Sequence, residues 1–379
     1  MLGDQVSGRE NALGTVVQVR GTHREIGQAI GETARPQIQA AVAFYTANFS
    51  EAFGLSRDDA IATAHEHLRY ARRHLPHLVE ELEGMAEGSG SPFDDLLVLN
   101  CGEEISPMLQ PPSPPDDDPS SGGGVQHCTA VAVSGTQDRL VALNMDWYPD
   151  DADKNIFYDV TVPDGTRFIS YAGAHYLPIV GMNSHGIAYA GNSFVCTQNR
   201  PGIPNAFVRR WVLEAPSLDE AVRRACHGAR ARGSNHLLGD VDGSIVNLET
   251  SATSGALVAP ETTDGAVWMA HTNHYLAKEM LPFEGYLPTW RSSFVRLERA
   301  RETMAEGLEA NREPMDVVVS TLRDHETEPF SVCEHDQEDL PLADRSMTVA
   351  SVVFDLASST LRACPGQPCK RDYVTFEMS

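Results

Sequence analysis

Lysine is scarce in this chain: Lys154, Lys278 and Lys370 are the only three among 29 basic residues, which face 53 acids. The resulting net charge of −24 argues against a general polyanion binder, so nucleic acid is not the expected partner. Long apolar runs are missing too. No stretch of about 18 apolar residues occurs, and the opening MLGDQVSGRENALG has no basic segment leading into an apolar one, so a cytoplasmic protein without a membrane span is expected. The seven cysteines (101, 128, 196, 226, 333, 364 and 369) include no CxxC pair, and reduced thiols are the default. Cys364 and Cys369 with nearby histidines form a zinc candidate. The spacing CPGQPC is longer than a tight ligand pair and its prolines read as turn residues, so no metal is expected. Glycine fingerprints for dinucleotides or phosphates are absent as well, since GTHREIGQAIG has the wrong spacing for either, and no internal repeat is apparent.

What is present is a soluble composition, 41% hydrophobic over 379 residues, with enough apolar material for one large domain or two. Residues 15–20 read as a strand, and Thr22 with Glu25 three residues on has the spacing of a capping box that opens a helix. Apolar residues three and four apart carry a helical pattern to about residue 90, where Gly88 and Gly90 are expected to end it. Another short helix is expected after Asp94 and Asp95. Residues 107–124, PMLQPPSPPDDDPSSGGG, combine prolines, three acids and three glycines and read as an exposed linker or processing loop.

After Cys128 the period changes to two. CTAVAVSG, DRLVALNMDW, NIFYDVTVP, RFISYAG and LPIVGMNSHGIAYAGNSF predict successive strands of an antiparallel meander. Two helices are expected over residues 204–232, divided at Pro216, then a hairpin turning at Asp242-Gly243 and a further strand. Residues 291–323 read as helical, and TVASVVFDLASSTLRACPG as a closing hairpin. The order of elements predicts a layered protein of antiparallel sheets and helices.

The segment SGGGVQHCTAVAVSG places Cys128 at the first position of a strand after a loop of little bulk. If the chain were cut before it, Cys128 would carry both a thiol and an α-amine of pKa ~7.7–8.0 able to take the thiol's proton, so one residue would be nucleophile and base. The plain alternative is a small buried apolar residue. Three more stretches put polar groups where a strand core is usually apolar: NMDW (144–147), GNS (191–193) and HTNHY (271–275). Asp146 and Asn273 in these stretches are either satisfied structural groups at strand ends or an orienting acid and an oxyanion donor.

The order GTHREIGQAIG, ELEGMAEGSG, CTAVAV, NMDW, GMNSHGIAYAGNS, HTNHY and the terminal hairpin resembles the acyl-coenzyme A:6-aminopenicillanic acid acyltransferases and their relatives, including β-alanyl-dopamine and carcinine hydrolases, within the N-terminal nucleophile hydrolases. The resemblance implies an α+β fold, a four-layer αββα sandwich of antiparallel sheets. It implies a precursor that cuts itself at His127-Cys128 into an α chain, 1–127, and a β chain, 128–379, that stay together. It also implies catalytic roles for Cys128, Asp146 and Asn273, with Asn192, Trp147 and Arg345 as candidate substrate-binding residues. The implied substrate is a small acyl amide, amine or acyl thioester. No cofactor is expected, although acyl-coenzyme A is a possible co-substrate. Relatives commonly carry glycine before the cysteine, and the imidazole of His127 could either slow the acyl shift or assist its proton transfer. Two other classes remain open at this level: a non-catalytic binding protein on the same fold, and a papain-like hydrolase using His185, His271 or His274 as base.

Overall fold

The computed structural model of the chain describes residues 6–11, 14–105, 128–135, 137–285 and 291–378. His127 and the segment 107–124 lie outside these residues. The chain opens with a hairpin, β1 (Val6–Asn11) and β2 (Gly14–Arg20). Seven helices follow: α1 (His23–Thr33), α2 (Arg35–Ala47), α3 (Phe49–Phe53), α4 (Arg57–His74), α5 (Pro76–Ser89), α6 (Phe93–Asn100) and α7 (Gly102–Ile105). The Thr22–Glu25 capping box forms as its spacing predicts, with Glu25 Oε2 2.8 Å from the Thr22 backbone nitrogen. Gly90, at φ 70°, ends α5 in the left-handed conformation. Gly88 instead lies inside α5, and its reason is packing. Gly27 and Gly31 on α1 meet Gly84 and Gly88 on α5, and a methyl group at any of the four would overlap backbone of the facing helix. The missing Cβ atoms bring two backbones together.

Beyond residue 128 the strands are β3 (Cys128–Ser134), β4 (Arg139–Trp147), β5 (Asn155–Thr161), β6 (Arg167–Gly173), β7 (Gly181–Asn183) and β8 (Ile187–Ser193). Helices α8 (Asn205–Val212) and α9 (Leu218–Ala225) follow, then β9 (Ser234–Asp240), β10 (Ile245–Thr250), β11 (Gly255–Val258), β12 (Glu261–Thr263) and β13 (Ala266–His271). The chain ends with α10 (Ser292–Glu309), α11 (Pro314–Arg323), β14 (Met347–Asp355), β15 (Thr360–Pro365) and β16 (Val374–Glu377).

These strands form two sheets, one ordered β1-β2-β5-β6-β7-β8-β9-β10-β11 and one ordered β12-β13-β3-β4-β14-β15-β16. The run from β3 to β8 is therefore not one meander, because the chain leaves the second sheet after β4 and continues in the first. All pairs are antiparallel except β2 with β5, where the N-terminal hairpin docks parallel to the sheet edge formed by β5. The sheets face each other through β3 and β4 against β8 and β9. Helices α1 and α9 lie on the outer face of the first sheet, and α10 and α11 cover the second. The molecule is thus an α+β sandwich of four layers, αββα.

Alternation along β3 shows how the layers are filled. Ala130 and Ala132 point into the core between the sheets, whereas Val131 and Val133 point into the core beneath α10 and α11. Cys128 has the parity of Ala130 and packs at the inter-sheet core. No helix among the described residues is long and apolar enough to cross a membrane.

The glycine contact yields a test. In an exposed helix Gly→Ala stabilises by up to about 1 kcal/mol, but in Gly84→Ala the new methyl meets the Arg24 carbonyl. Gly84→Ala is expected to lose about 1–3 kcal/mol through overpacking, read as a lower denaturant midpoint at unchanged slope. Equal or higher stability would show that α1 and α5 do not touch backbone to backbone.

Candidate active site

Cys128 opens β3 at the wall of a cavity of about 90 Å³ between the two sheets, lined largely by apolar groups such as Leu143, Met145, Trp147, Tyr176 and Ile179. Three side chains from three elements fix its backbone. Its nitrogen lies 2.9 Å from Asn273 Oδ1, in the loop after β13. Its carbonyl oxygen accepts from Asn192 Nδ2 on β8 and from Arg296 Nη1 on α10, each at 2.9 Å.

Arg296 is fully buried and bonds on every side. Nη1 also reaches Thr129 Oγ1 at 3.0 Å, Nη2 reaches Asn273 Oδ1 at 2.9 Å, and Nε reaches Ser292 Oγ at 3.1 Å. Because Asn273 Oδ1 receives two N–H donors, the orientation of its amide is determined. Asn273 Nδ2 donates to Ser193 O at 3.0 Å, and both Asn273 and Asn192 are buried at Cys128 without themselves lining the cavity. Asn192 is held by its neighbours in turn, its Oδ1 accepting from Asn235 Nδ2 at 3.0 Å and its backbone oxygen from Ser234 Oγ at 2.9 Å.

Asp146 lies near the end of β4, fully buried, its Oδ1 accepting from Thr348 Oγ1 of β14 at 2.6 Å. Burial and the nearby Glu334 carboxylate push its carboxyl well above the usual range, opposed by Arg296 and Thr348. Its Oδ2 has no hydrogen-bond partner among the described residues. The Asp146 backbone N–H points at the Cys128 thiol, whose pKa is pushed up to about 12 by burial and by the Asp146 charge. In the uncut chain the thiol is therefore protonated at neutral pH, and ionising it requires a base within the site.

Of the other predicted residues, Trp147 lines the cavity and donates from Nε1 to Tyr45 OH. Arg345 does not line it. Its guanidinium pairs with Asp336 in the segment ahead of β14. Asn144, from the same NMDW stretch, is structural: Nδ2 ties β4 to Leu322 O and Val332 O, both at 2.8 Å. The three histidines of the papain-like alternative do not line the cavity. His271 pairs with Glu249 at 2.8 Å, His274 with Ser293 Oγ at 2.7 Å, and His185 with Thr166 Oγ1 at 3.0 Å.

Several cavity groups escape sequence reading. Buried Arg209 pairs with half-buried Glu103 at 2.7 Å, and beside them burial and the Glu103 charge push Glu104 up to about 7. Farther along, burial pushes Asp151 up to about 7, while Tyr45 OH donates to its Oδ2 at 2.6 Å. Burial and Lys154 push His175 down to about 3, which keeps that imidazole neutral. Arg296 had one legible signal. It falls on the buried face of α10 with Leu297, Ala300 and Met304, an arginine in an apolar stripe.

A family model described as acyl-coenzyme A:6-aminopenicillanic acid acyl-transferase matches residues 133–370, beginning just after Cys128 and covering Asp146, Asn192, Asn273 and Arg296. No curated protein matches the chain. Among solved structures, penicillin V acylase from Agrobacterium tumefaciens aligns at 15% identity with a TM-score of 0.44, over 66% of this chain and 86% of its own. A variant of conjugated bile acid hydrolase from Clostridium perfringens aligns at 12% identity and a TM-score of 0.37, over 66% and 97% respectively. Since the family match takes in well over half of the sequence, the chain belongs to the acyl-coenzyme A:6-aminopenicillanic acid acyl-transferase family.

Proposed function

We infer that the protein is a self-processing enzyme that hydrolyses a small N-acyl amide through a thioester on Cys128. One observation carries this reading: the backbone nitrogen of a cavity-lining, strand-opening cysteine lies 2.9 Å from the carbonyl of a buried asparagine. In the precursor Cys128 Sγ attacks the carbonyl carbon of residue 127, the C–N bond breaks, and the nitrogen takes up the thiol proton. Water then hydrolyses the thioester, leaving a carboxylate on His127 and a free amine and thiol on Cys128. The unpartnered Oδ2 of Asp146, buried beside the thiol, supports a role in relaying that proton from sulfur to nitrogen.

After the cut the same nitrogen is an amine, and Asn273 Oδ1 holds it where the amide N–H was. The amine takes the thiol proton as Sγ attacks the substrate carbonyl, then delivers it to the leaving amine; water resolves the acyl-enzyme. Asn273 and Asn192 each present an amide N–H₂ beside Cys128, and the hydrogen of each not engaged by protein is the donor to the oxyanion. A papain-like mechanism is disfavoured, since its candidate bases are bonded elsewhere.

Hydrolysis is favoured over coenzyme A-dependent transfer by the lack of an uncommitted cation on the described cavity wall. Four carboxyl groups line it (Glu103, Glu104, Asp146 and Asp151), and Arg209, the one arginine among the described lining residues, is paired with Glu103. Coenzyme A phosphates would meet no uncommitted cation there.

Asn273→Ala and Asp146→Asn are expected to keep the fold, judged by unchanged circular dichroism, while turnover falls in both, by ~10²–10³ in Asn273→Ala for the loss of an oxyanion-side donor. Arg345→Ala, off the cavity, is expected to keep kcat/KM within about twofold. Undiminished turnover in folded Asn273→Ala would return that residue to a structural role.

A panel of N-acyl amines, supplied with and without acyl-coenzyme A and an acceptor amine, tests the reaction class. Acid release is expected to exceed new amide formation in every case. Amide formation that outpaces hydrolysis in water would make the enzyme a transferase, and turnover of proteins alone would overturn the small-substrate reading.

A further inference from the structure

Zinc is unexpected from the spacing of Cys364 and Cys369, but the fold regroups the candidates. Cys364 is buried on β15, whereas Cys369, in the turn before β16, meets two histidines from the segment between α11 and β14. One donor atom each from His325, His335 and Cys369 lies within 4.8 Å of the others. His335 Nε2 is already 3.2 Å from Cys369 Sγ. Ligand atoms around a tetrahedral zinc, with bonds of 2.0–2.3 Å, sit about 3.3–3.8 Å apart, so small side-chain rotations bring this set to coordinating distance.

The outer ring nitrogens carry the second observation. His325 Nδ1 faces the Arg323 carbonyl at 3.1 Å, which leaves Nε2 as its ligand atom. His335 Nδ1 faces Glu328 Oε1 at 3.9 Å. Carbonyl or carboxylate behind the imidazole is the arrangement that orients a metal-bound histidine. The Cys333 thiol is in hydrogen-bonding contact with Cys369, and Cys333 N is anchored to Asp324 O at 2.7 Å. The other histidine-carboxylate cluster, His23, His77 and Glu214, differs in one decisive respect: Arg210 Nη1 sits 2.9 Å from Glu214 Oε1, so a fixed cation already fills it.

We propose that His325, His335 and Cys369 bind a divalent cation of the zinc class, with the exposed side of His325 leaving a fourth position for water. Two nitrogens and a thiolate match zinc, and neither magnesium nor calcium. The ion clips the segment ahead of β14 to the β15–β16 turn. That segment leads to the nucleophile: Glu334 N is 2.9 Å from Thr348 Oγ1, which donates to Asp146. The clip therefore steadies the wall behind Asp146 without touching substrate.

The test uses the full chain, with zinc content measured after dialysis and cobalt(II) titrated into chelator-treated protein. About one equivalent of zinc and an intense tetrahedral cobalt spectrum with a thiolate charge-transfer band are expected. Both should fall below about a tenth in Cys369→Ser and His335→Ala and persist in Cys226→Ser, whose thiol lies elsewhere. Should the variants fold poorly, the wild-type spectrum decides alone: absence of the thiolate-to-cobalt band overturns the site, as does zinc retained undiminished in folded variants.

Discussion

A single buried guanidinium holds the site together. Arg296 bridges the Cys128 carbonyl, the Thr129 hydroxyl and the Asn273 amide, and so joins α10, β3 and the loop after β13 at one point. An unpaired charge in such a place would cost several kcal/mol, and Arg296 offsets this with charge-assisted bonds to four neighbours. Moving any one of them leaves a buried N–H without an acceptor. The start of β3 is therefore a fixed point, and the first residue of the strand presents its nitrogen, its carbonyl and its thiol in defined directions.

From that point order spreads through both sheets. Asn192 reaches across from β8 in the first sheet to the Cys128 carbonyl in the second, and Asn235 and Ser234 on the neighbouring β9 hold Asn192. On the other side β4 and β14 bring Asp146 under Thr348, and Thr348 is fastened to Glu334. The cavity opens where these polar chains meet an apolar wall. Burial does two jobs here. It keeps the thiol neutral in the uncut chain, and with the Glu334 carboxylate it pushes the Asp146 carboxyl well above its usual range.

Local signals carried much of this arrangement. The capping box at Thr22, the period-two alternation from Cys128 and the Asp242-Gly243 hairpin all depend on neighbours in sequence, and each forms in its expected place. The polar stretches NMDW, GNS and HTNHY mark the site because polar side chains at buried strand ends need partners. Local pattern alone does not say which residue of each stretch faces Cys128, since Asn144 and Asp146 serve different neighbours two residues apart. The family resemblance named Asp146, Asn192 and Asn273, and all three stand at Cys128. The crossing from β4 to β5 escaped because alternation reports a face and not a sheet. Gly88 reads as a helix terminator until α1 is beside it. Arg296 and the group His325, His335 and Cys369 needed the tertiary fold, since their partners come from segments distant in the chain.

The central claim is that Cys128 becomes an N-terminal nucleophile. Intact mass of the purified protein, taken before and after rapid quenching with a slowly hydrolysed N-acyl amide, tests it most directly. Two fragments are expected, the C-terminal one beginning at Cys128, with an acyl increment on that fragment alone that hydroxylamine removes. Cys128→Ala is expected to remain one uncut chain without an adduct. A single uncut chain that turns over substrate, or an adduct on another residue, would contradict it.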